Sequence, residues 1–415
     1  MKEYDPNEFK PTRRQIEAII RENARFSPVV ETVSVEDALG RVAARDLCSL
    51  RDLPNTANCR WDGVAVRFED FAGWESEGQV DTSSWELGRE YVFGNTGIAL
   101  PDGFDTLIRI EDVDIDGEGR LTVKRPPASR GEYTSARGST LLEGDPLVRR
   151  GQVLGPCHLG ILSMGGHTLV DVYRKPVVAI IPSGNELVGR TMALPRGKNV
   201  ETNSLVLANK VRTWGAEPLV YGIVPDDYEL LLAALRDAAA KADVVLFNAG
   251  SSKGTDDHAE EVLRAAGHLF FHRTSYGPGN HTGFCVVDGT PVLALVGVPG
   301  GAEFNADWYG EDLVRMYYGM APRVRRHVRA VLDNGYRLRN FTPVQMYVRA
   351  MVRRDEGGEG YRARILDEGD GFAAGYADAN AFILIEPEWG GVSAGQTVDT
   401  EIRLEPDGSC GGSVW

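Results

Sequence analysis

Segments that predict strands alternate with segments of helical periodicity from Lys175 to about Gly319. The predicted strands lie at residues 176–181, 217–224, 244–247 and 292–296, and the predicted helices lie near 204–214, 228–242, 257–266 and 302–318. Because regular alternation of strands and helices builds a parallel sheet covered on both faces, this region predicts a doubly wound α/β domain. Such sheets bind ligands at the carboxyl ends of their strands, so functional residues are expected there.

The turn that follows the third predicted strand indicates an anion site. It reads Phe247-Asn-Ala-Gly-Ser-Ser-Lys-Gly-Thr-Asp-Asp257 and leads directly into a helical segment. The amides of such a turn and the positive end of a helix dipole both attract anions. The aspartates at its end are suited to hold a divalent cation beside that anion. The pattern predicts a site for a phosphorylated or oxyanionic ligand together with a metal.

The rest of the chain shows other patterns of apolar and polar residues. Ile16, Ile19 and Ile20 are spaced as on one face of a helix, and residues 35–42 predict a second, short helix. The segments that predict β-structure are 63–67, 106–110 and 120–124 within a glycine-rich stretch, and 346–352, 361–365 and 381–385 near the end of the chain. A further helix is predicted at 154–166. These patterns indicate β-rich domains on both sides of the α/β domain.

The amino-acid composition limits the classes of protein to which this chain can belong. The net charge of −15 and the pI of about 5.1 argue against a general nucleic-acid binder. No apolar run approaches the roughly 20 residues of a membrane helix, and the first residues lack the apolar core of a signal peptide. The five cysteines stand at positions 48, 59, 157, 285 and 410, without metal-finger or redox spacing. We therefore expect a cytoplasmic protein with no membrane or nucleic-acid partner.

A series of short segments, taken in order, resembles the molybdopterin molybdenumtransferase family, also called MoeA and, in eukaryotes, the gephyrin E domain. The matching segments are Glu36-Asp-Ala-Leu-Gly-Arg-Val42, Trp61-Asp-Gly-Val-Ala-Val66, Asn95-Thr-Gly-Ile-Ala-Leu-Pro-Asp-Gly-Phe-Asp-Thr106, Lys175-Pro-Val-Val-Ala-Ile-Ile-Pro-Ser-Gly-Asn-Glu-Leu187, Asn203, Val224-Pro-Asp-Asp227, Ala249-Gly-Ser-Ser-Lys-Gly-Thr-Asp-Asp257, Pro278-Gly279 and Gly297-Val-Pro-Gly300. Their number and their order along nearly the whole chain make the resemblance specific.

The resemblance implies an architecture and a reaction. The implied fold is multidomain, α/β plus β, with an elongated helical N-terminal domain, a β insertion, a central doubly wound MogA-like domain and a small C-terminal β domain. The implied boundaries are 1–48 with 149–174, 49–148, 175–325 and 326–408, followed by a flexible tail at 409–415. The implied reaction inserts molybdate into adenylylated molybdopterin and releases AMP, with Mg²⁺ as the metal. A homodimer and a MogA-type adenylyltransferase or molybdoenzyme partner are implied as well.

The resemblance also assigns candidate site residues. The catalytic candidates are Asp62, Thr96, Glu186 and Asp257, of which the first two are expected to approach from the β insertion of the other subunit. The metal candidates are Asp226, Asp227 and Asp257. The candidates for binding the pterin are Ser183, Gly184, Gly250, Ser251, Ser252, Gly254, Pro278, Gly279, Asn280, Pro299 and Gly300. Helix capping is the alternative for the three aspartates that could bind metal, because a first helical turn favours aspartate by itself.

Several departures from the family pattern fall on the expected site. The two lysines of the family's KPGKP segment are replaced by Gly277 and Asn280, Thr140 replaces an acidic residue, and Glu303 stands where the family is apolar. Loss of two cations weakens charge-assisted binding of phosphate unless another cation substitutes. Two functions stay open on these grounds: an active molybdenum insertase, and a degenerate pterin-binding carrier, chaperone or scaffold. A third is an insertase for another oxyanion, such as tungstate.

Overall fold

A computed structural model gives the structure of the chain. It describes residues 9–74, 80, 82–118, 120–190, 193–249, 258–338, 344–356, 358, 360–366 and 377–403. The chain forms two compact units: one is Thr32–Val172, and the other joins Met1–Glu31 to Tyr173–Trp415. None of the helices in these ranges is long and apolar enough to cross a membrane.

The helices are α1 (Arg13–Asn23), α2 (Pro156–Met164), α3 (Asn203–Thr213), α4 (Tyr228–Lys241), α5 (Ala259–Ala266), α6 (Pro299–Asn305) and α7 (Glu311–Tyr317). The strands up to the α/β sheet are β1 (Val30–Ser34), β2 (Leu47–Cys48), β3 (Asn58–Cys59), β4 (Gly63–Val66), β5 (Tyr91–Gly94), β6 (Thr106–Arg109), β7 (Val113–Ile115), β8 (Leu121–Val123), β9 (Thr134–Ser135), β10 (Pro146–Val148) and β11 (Leu169–Tyr173). The later strands are β12 (Val177–Pro182), β13 (Leu187–Val188), β14 (Asn199–Val200), β15 (Glu217–Val220), β16 (Val244–Asn248), β17 (His268–Phe271), β18 (Tyr276–Gly277), β19 (Gly283–Val287), β20 (Thr290–Leu295), β21 (Arg326–Leu332), β22 (Tyr336–Arg337), β23 (Gln345–Arg354), β24 (Tyr361–Ile365), β25 (Ala381–Ile385), β26 (Gly391–Val392) and β27 (Thr397–Ile402).

In the part that the structure describes, the unit Thr32–Val172 consists of small sheets and one α-helix. Strand β4 pairs antiparallel with both β5 and β6, and alternate residues of β4 pack into two hydrophobic clusters. The predicted helix at 154–166 is confirmed as α2. The short helix predicted at 35–42 is wrong in extent, because only Glu36–Ala38 form a single 3₁₀ turn. Gly40 adopts a φ of +72°, which ends the turn.

The predicted α/β sheet is present, with one correction to its topology. Its strand order is β15-β12-β16-β20-β19-β17, and the four strands predicted from sequence are the parallel ones. Strands β19 and β17 extend the edge in antiparallel fashion and were missed. The β19–β20 hairpin turns at Asp288-Gly289, where both residues have positive φ. An Asp-Gly pair between apolar runs is itself a hairpin signal.

Both faces of the α/β sheet are covered. Helices α4 and α5 pack on one face, where Phe247 and Leu235 belong to the same hydrophobic cluster. On the other face Leu246 is fully buried, and a Cβ atom added to Gly310, just before α7, would lie 3.7 Å from its side chain. Because successive residues of a strand point to opposite faces, continuous burial along β16 requires this double covering.

The last strands close into a small barrel. Strand β23 pairs antiparallel with both β24 and β25, and the circle is completed by β21 and β27. The predicted strands at 346–352, 361–365 and 381–385 are confirmed, and β21 and β27 were missed. Three of the seven residues of β21 are arginine or histidine, which conceals its inward-facing Ala330 and Leu332. Closure of the ring removes exposed sheet edges.

Helix α1 belongs to the unit that contains the α/β sheet and the barrel. Thr12 caps it in a reciprocal contact with Gln15, and the predicted face carries the buried Ile16 and Ile20. Arg13 pairs with Glu401 of β27 at 2.5 Å. The domain boundaries expected from sequence stay a prediction.

Candidate active site

A hydrogen-bonded carboxylate lies where strand β12 ends. Ser183 follows the strand and donates its Oγ to Oδ1 of Asp226 at 2.6 Å. The amide of Asn185 donates to Oδ2 of the same carboxylate at 2.9 Å, and the Asn185 side chain accepts from the Asp226 amide at 3.2 Å. We call these three residues the Ser183–Asn185–Asp226 clasp. It fixes a carboxylate at the sheet edge where α/β proteins bind ligands.

The chain turns sharply within and after the clasp. A Cβ atom on Gly184 would lie 2.8 Å from Cγ of Leu187 and 2.8 Å from Oε2 of Glu186, so glycine is required for this turn. The Glu186 side chain is exposed, and Nζ of Lys198 donates to the Asn185 carbonyl at 2.5 Å. Four candidate site residues, Ser183, Gly184, Glu186 and Asp226, therefore lie together at one edge of the sheet, with Lys198 beside them.

Asp227, the neighbour of the clasp carboxylate, caps helix α4. Its Oδ1 accepts from the amide of Leu230 at 3.0 Å. This contact is the capping role that the sequence offered as the alternative to metal binding. A metal role for Asp227 stays a prediction.

Residues 250–257 of the predicted anion loop lie outside the described residues. They include the candidates Gly250, Ser251, Ser252, Gly254 and Asp257, whose roles stay predictions. Among the residues that the structure describes, no group of three histidine, cysteine, aspartate or glutamate side chains is placed to hold a metal ion.

Two buried asparagines link the strand ends beside that loop. Asn248, the last residue of β16, donates to the Val296 carbonyl at 2.8 Å and accepts from the Asn203 side chain at 2.8 Å. Asn203 also donates to the Gly297 carbonyl at 2.8 Å. Both side chains are buried, so these bonds fix α3 against the ends of β16 and β20. Sequence reasoning noted Asn203 only as a motif match and missed Asn248.

The predicted binding segments around Gly279 and Gly300 lie against each other. Gly279 has a φ of +85°, and a Cβ atom there would lie 2.4 Å from Nδ2 of Asn305 and 3.2 Å from Cα of Gly301. The Asn305 side chain accepts from the buried Tyr276 hydroxyl at 2.7 Å. Pro278 and Gly279 are thus held against α6, which begins at Pro299. Asn280 is exposed beside them.

An arginine that sequence reasoning missed covers Gly300. Nη2 of Arg349, on strand β23, donates to the Gly300 carbonyl at 3.2 Å. A Cβ atom on Gly300 would lie 2.7 Å from Nη1, so the guanidinium occupies the space that a side chain would fill. The two positions are 49 residues apart, and nothing in the local pattern around Arg349 indicates the contact.

Arg349 belongs to a buried ion cluster that joins four elements of this unit. Lys210 contacts Glu303 at 3.4 Å and Asp307 at 2.6 Å. Arg403 pairs with Glu303 and, at 3.3 Å, with Asp307, while Arg349 contacts Glu303 at 3.4 Å. Burial lowers the pKa of Lys210, although Asp307 opposes that effect. The departure noted at Glu303 is therefore the centre of this cluster.

The unit Thr32–Val172 holds the remaining catalytic candidates. Oδ1 of Asp62 accepts from the Thr96 amide at 2.7 Å and from its hydroxyl at 3.0 Å. The amide contact, followed by the hydroxyl contact, lowers the pKa of Asp62. The next residue, Gly63, lies so close to the neighbouring strand that a Cβ atom would be 1.9 Å from the Ile108 carbonyl oxygen. The predicted pair is thus an exposed, ionised carboxylate with two donors on one oxygen.

Two protein families match successive parts of the chain. The MoeA N-terminal region (domain I and II) matches residues 12–166. The probable molybdopterin binding domain matches residues 179–315 and so includes the clasp, the anion loop and α6.

Known relatives match along nearly the full length. The molybdopterin molybdenumtransferase of Bacillus subtilis (strain 168) is 28% identical over 419 residues, covering 96% of each chain. The enzyme of the same name from Staphylococcus aureus (strain MSSA476) is 25% identical over 405 residues, covering 94% of each. The crystal structure of the molybdopterin biosynthesis MoeA protein from Pyrococcus horikosii superposes with a TM-score of 0.79 at 26% identity, covering 95% of this chain and 99% of that one. With both domains present in order, the chain belongs to the MoeA family.

Proposed function

We propose that this protein is a molybdopterin molybdenumtransferase, which inserts molybdate into adenylylated molybdopterin and releases AMP. The observation that carries the proposal is the Ser183–Asn185–Asp226 clasp, a fixed carboxylate at the strand ends of a domain matched to molybdopterin binding. Full-length relatives with this enzymatic name favour catalysis over the carrier alternative.

Release of AMP requires cleavage of a phosphoanhydride, for which charge neutralisation and positioning matter most. Ser183 holds the Asp226 carboxylate in place. Arg349 donates to the Gly300 carbonyl and Lys198 to the Asn185 carbonyl, so each brings a positive charge close to predicted binding residues. We propose that Arg349 binds phosphate or molybdate oxygens near Gly300. The exposed carboxylate of Asp62 stays ionised, because Thr96 stabilises its charged form.

We also propose Mg²⁺ as the cofactor. The donor chemistry fits, because Mg²⁺ in phosphoryl-transfer sites uses only one or two carboxylates, with water and substrate phosphates as the other ligands. Asp226 would hold the ion, together with Asp257 as the sequence predicts. When bound, Mg²⁺ would neutralise charge on the phosphates.

A homodimer completes the proposal, with a MogA-type adenylyltransferase or a molybdoenzyme as a further partner. Light scattering coupled to gel filtration tests the dimer, whose mass should be twice 45.3 kDa.

The reaction is tested with purified protein, adenylylated molybdopterin and Mg²⁺, in the presence or absence of molybdate. The expected result is AMP release that requires Mg²⁺ and yields molybdenum cofactor when molybdate is present. Binding of the pterin without AMP release under any of these conditions would reject the enzymatic proposal. Replacing molybdate by tungstate in the same assay measures oxyanion preference.

A further inference from the structure

Glu303 is a buried carboxylate that contacts three cations. It is only 6% exposed. Its Oε1 contacts Lys210 and Arg403, and its Oε2 contacts Nη2 of Arg349 at 3.4 Å. The cluster therefore contains two carboxylates, Glu303 and Asp307, and three cations. Its net charge is one positive charge.

Stability alone is a weak explanation for this carboxylate. Burying a charge costs free energy that pairing only partly recovers, and apolar side chains often serve stability equally well. An apolar side chain at this position would avoid that cost, and the chain carries glutamate instead. The charge of Glu303 is better explained by a role in placing the cations that it contacts.

The placement that Glu303 controls is that of Arg349. The nitrogen Nη2 is shared between the Glu303 carboxylate and the Gly300 carbonyl, at 3.4 and 3.2 Å. These two acceptors lie on the same short helix, so they hold the guanidinium against its first turn. Arginine has a long flexible side chain, and without such a partner its rotamer freedom would be larger.

The segment that packs against Gly300 carries no cation at positions 277 and 280, which are glycine and asparagine. At position 277 a Cβ atom would lie 2.7 Å from Sδ of Met346, so a longer side chain would have to displace that methionine. The exposed Asn280 carries no charge. The guanidinium of Arg349 does carry a charge, and it is held beside Gly300. Gly300 belongs to the segment that packs against Gly279.

We propose that Glu303 is a positioning residue: it holds Arg349 beside Gly300, so that Arg349 supplies the oxyanion with the positive charge that positions 277 and 280 do not. This proposal rests on the proposed function for the identity of the ligand.

The test measures molybdate binding without turnover, together with steady-state kinetics. Glu303→Gln keeps the size of the side chain and removes its charge. If Arg349 then leaves its place, its charge-assisted contact to the anion is lost, and molybdate binding should weaken about tenfold. Tighter binding, which the removed negative charge alone would give, would overturn the proposal. The KM for molybdate should rise by a similar factor while kcat changes less than about twofold, since the residue does not touch the reacting atoms.

Glu311→Gln is the matched control. Glu311 is 4% exposed and pairs with Arg323 through two contacts of 3.0 and 3.1 Å, eight residues beyond Glu303. Both variants should lower the melting temperature, because each removes a buried partner. Only Glu303→Gln should change the Kd for molybdate, and an equal change in Glu311→Gln would overturn the proposal.

A double-mutant cycle with Arg349→Gln tests the route of action. If Glu303 acts through Arg349, the double variant should bind molybdate as Arg349→Gln does. Additive losses, or a Kd unchanged by Glu303→Gln in folded protein, would overturn the proposal, as would wild-type protein that does not bind molybdate. Binding without AMP release would instead reject the proposed function and leave this test intact.

Discussion

The clasp and the ion cluster are two polar groups of residues in the same unit that lie in different surroundings. The clasp joins Ser183 and Asn185, which follow β12, to Asp226, which precedes α4, and a backbone amide is the donor in two of its three hydrogen bonds. The cluster joins side chains from α3, the helical segment 299–310, β23 and Arg403 just after β27, and each of them is between 7% and 20% exposed. Both join residues that are distant in the chain, 43 positions apart for Ser183 and Asp226 and 46 for Glu303 and Arg349. The clasp lies at the edge where ligands are expected, whereas the cluster is packed between elements. Mutations should therefore affect activity at the clasp and both stability and ligand affinity at the cluster.

Lys210→Met should produce the largest loss of stability. It removes the 2.6 Å partner of Asp307 and leaves two buried carboxylates to the remaining arginines. Breaking a buried pair costs about 3–5 kcal/mol, measurable by urea unfolding. Lys241→Met is the control: Lys241 is 58% exposed beside Asp237, and its loss should cost about 1 kcal/mol or less. Equal losses would mean that burial of the cluster does not matter.

Asp226→Asn should produce the largest loss of activity at the clasp. The substitution keeps the shape but removes the charge, and AMP release should fall about 100-fold, as for other site groups that stabilise charge. Asp227→Asn is the control, because asparagine is an equally good helix cap. Initial rates at saturating Mg²⁺ measure both variants. A similar fall in Asp227→Asn would instead support the metal role predicted for that residue.

Asp227→Ala should produce a smaller change, in stability. It removes the contact to the Leu230 amide, and loss of such a cap costs about 1 kcal/mol. The unfolding midpoint in urea measures this cost. An unchanged midpoint would remove the capping assignment.

Thr96→Val should produce the smallest effect, a change in pH dependence. The pKa of Asp62 is lowered from 3.8 by two contacts with Thr96, of which the variant removes the hydroxyl. A lowered pKa means that these contacts stabilise the fold above the ordinary pKa of aspartate, and that this contribution is lost as pH falls through the lowered value. The variant should raise the pKa of Asp62, as followed by carboxyl NMR. An unchanged titration would mean that the amide contact alone sets it.

Local patterns in the sequence were enough to predict the four parallel strands of the α/β sheet. Continuous apolar runs identified β12, β15, β16 and β20, and helical spacing identified α3, α4 and α5. The position of the candidate site followed, because parallel strands place their carboxyl ends at one edge. The hairpin at Asp288-Gly289 could also have been predicted from the sequence but was missed. Strand β21 was hidden, because its arginines mask a two-residue alternation.

By itself, the sequence determined the features that depend on neighbours along the chain: the periodicity of strands and helices, the cap at Asp227 and the glycine turn at Gly184. Only the tertiary structure decided the contacts of Asn248 with Asn203, of Arg349 with Gly300 and of Glu303 with its three cations. The physical reason is that a buried polar side chain must find its partner wherever packing brings one. That partner can lie 100 residues away, as Arg403 does from Glu303, and no local pattern records such a distance.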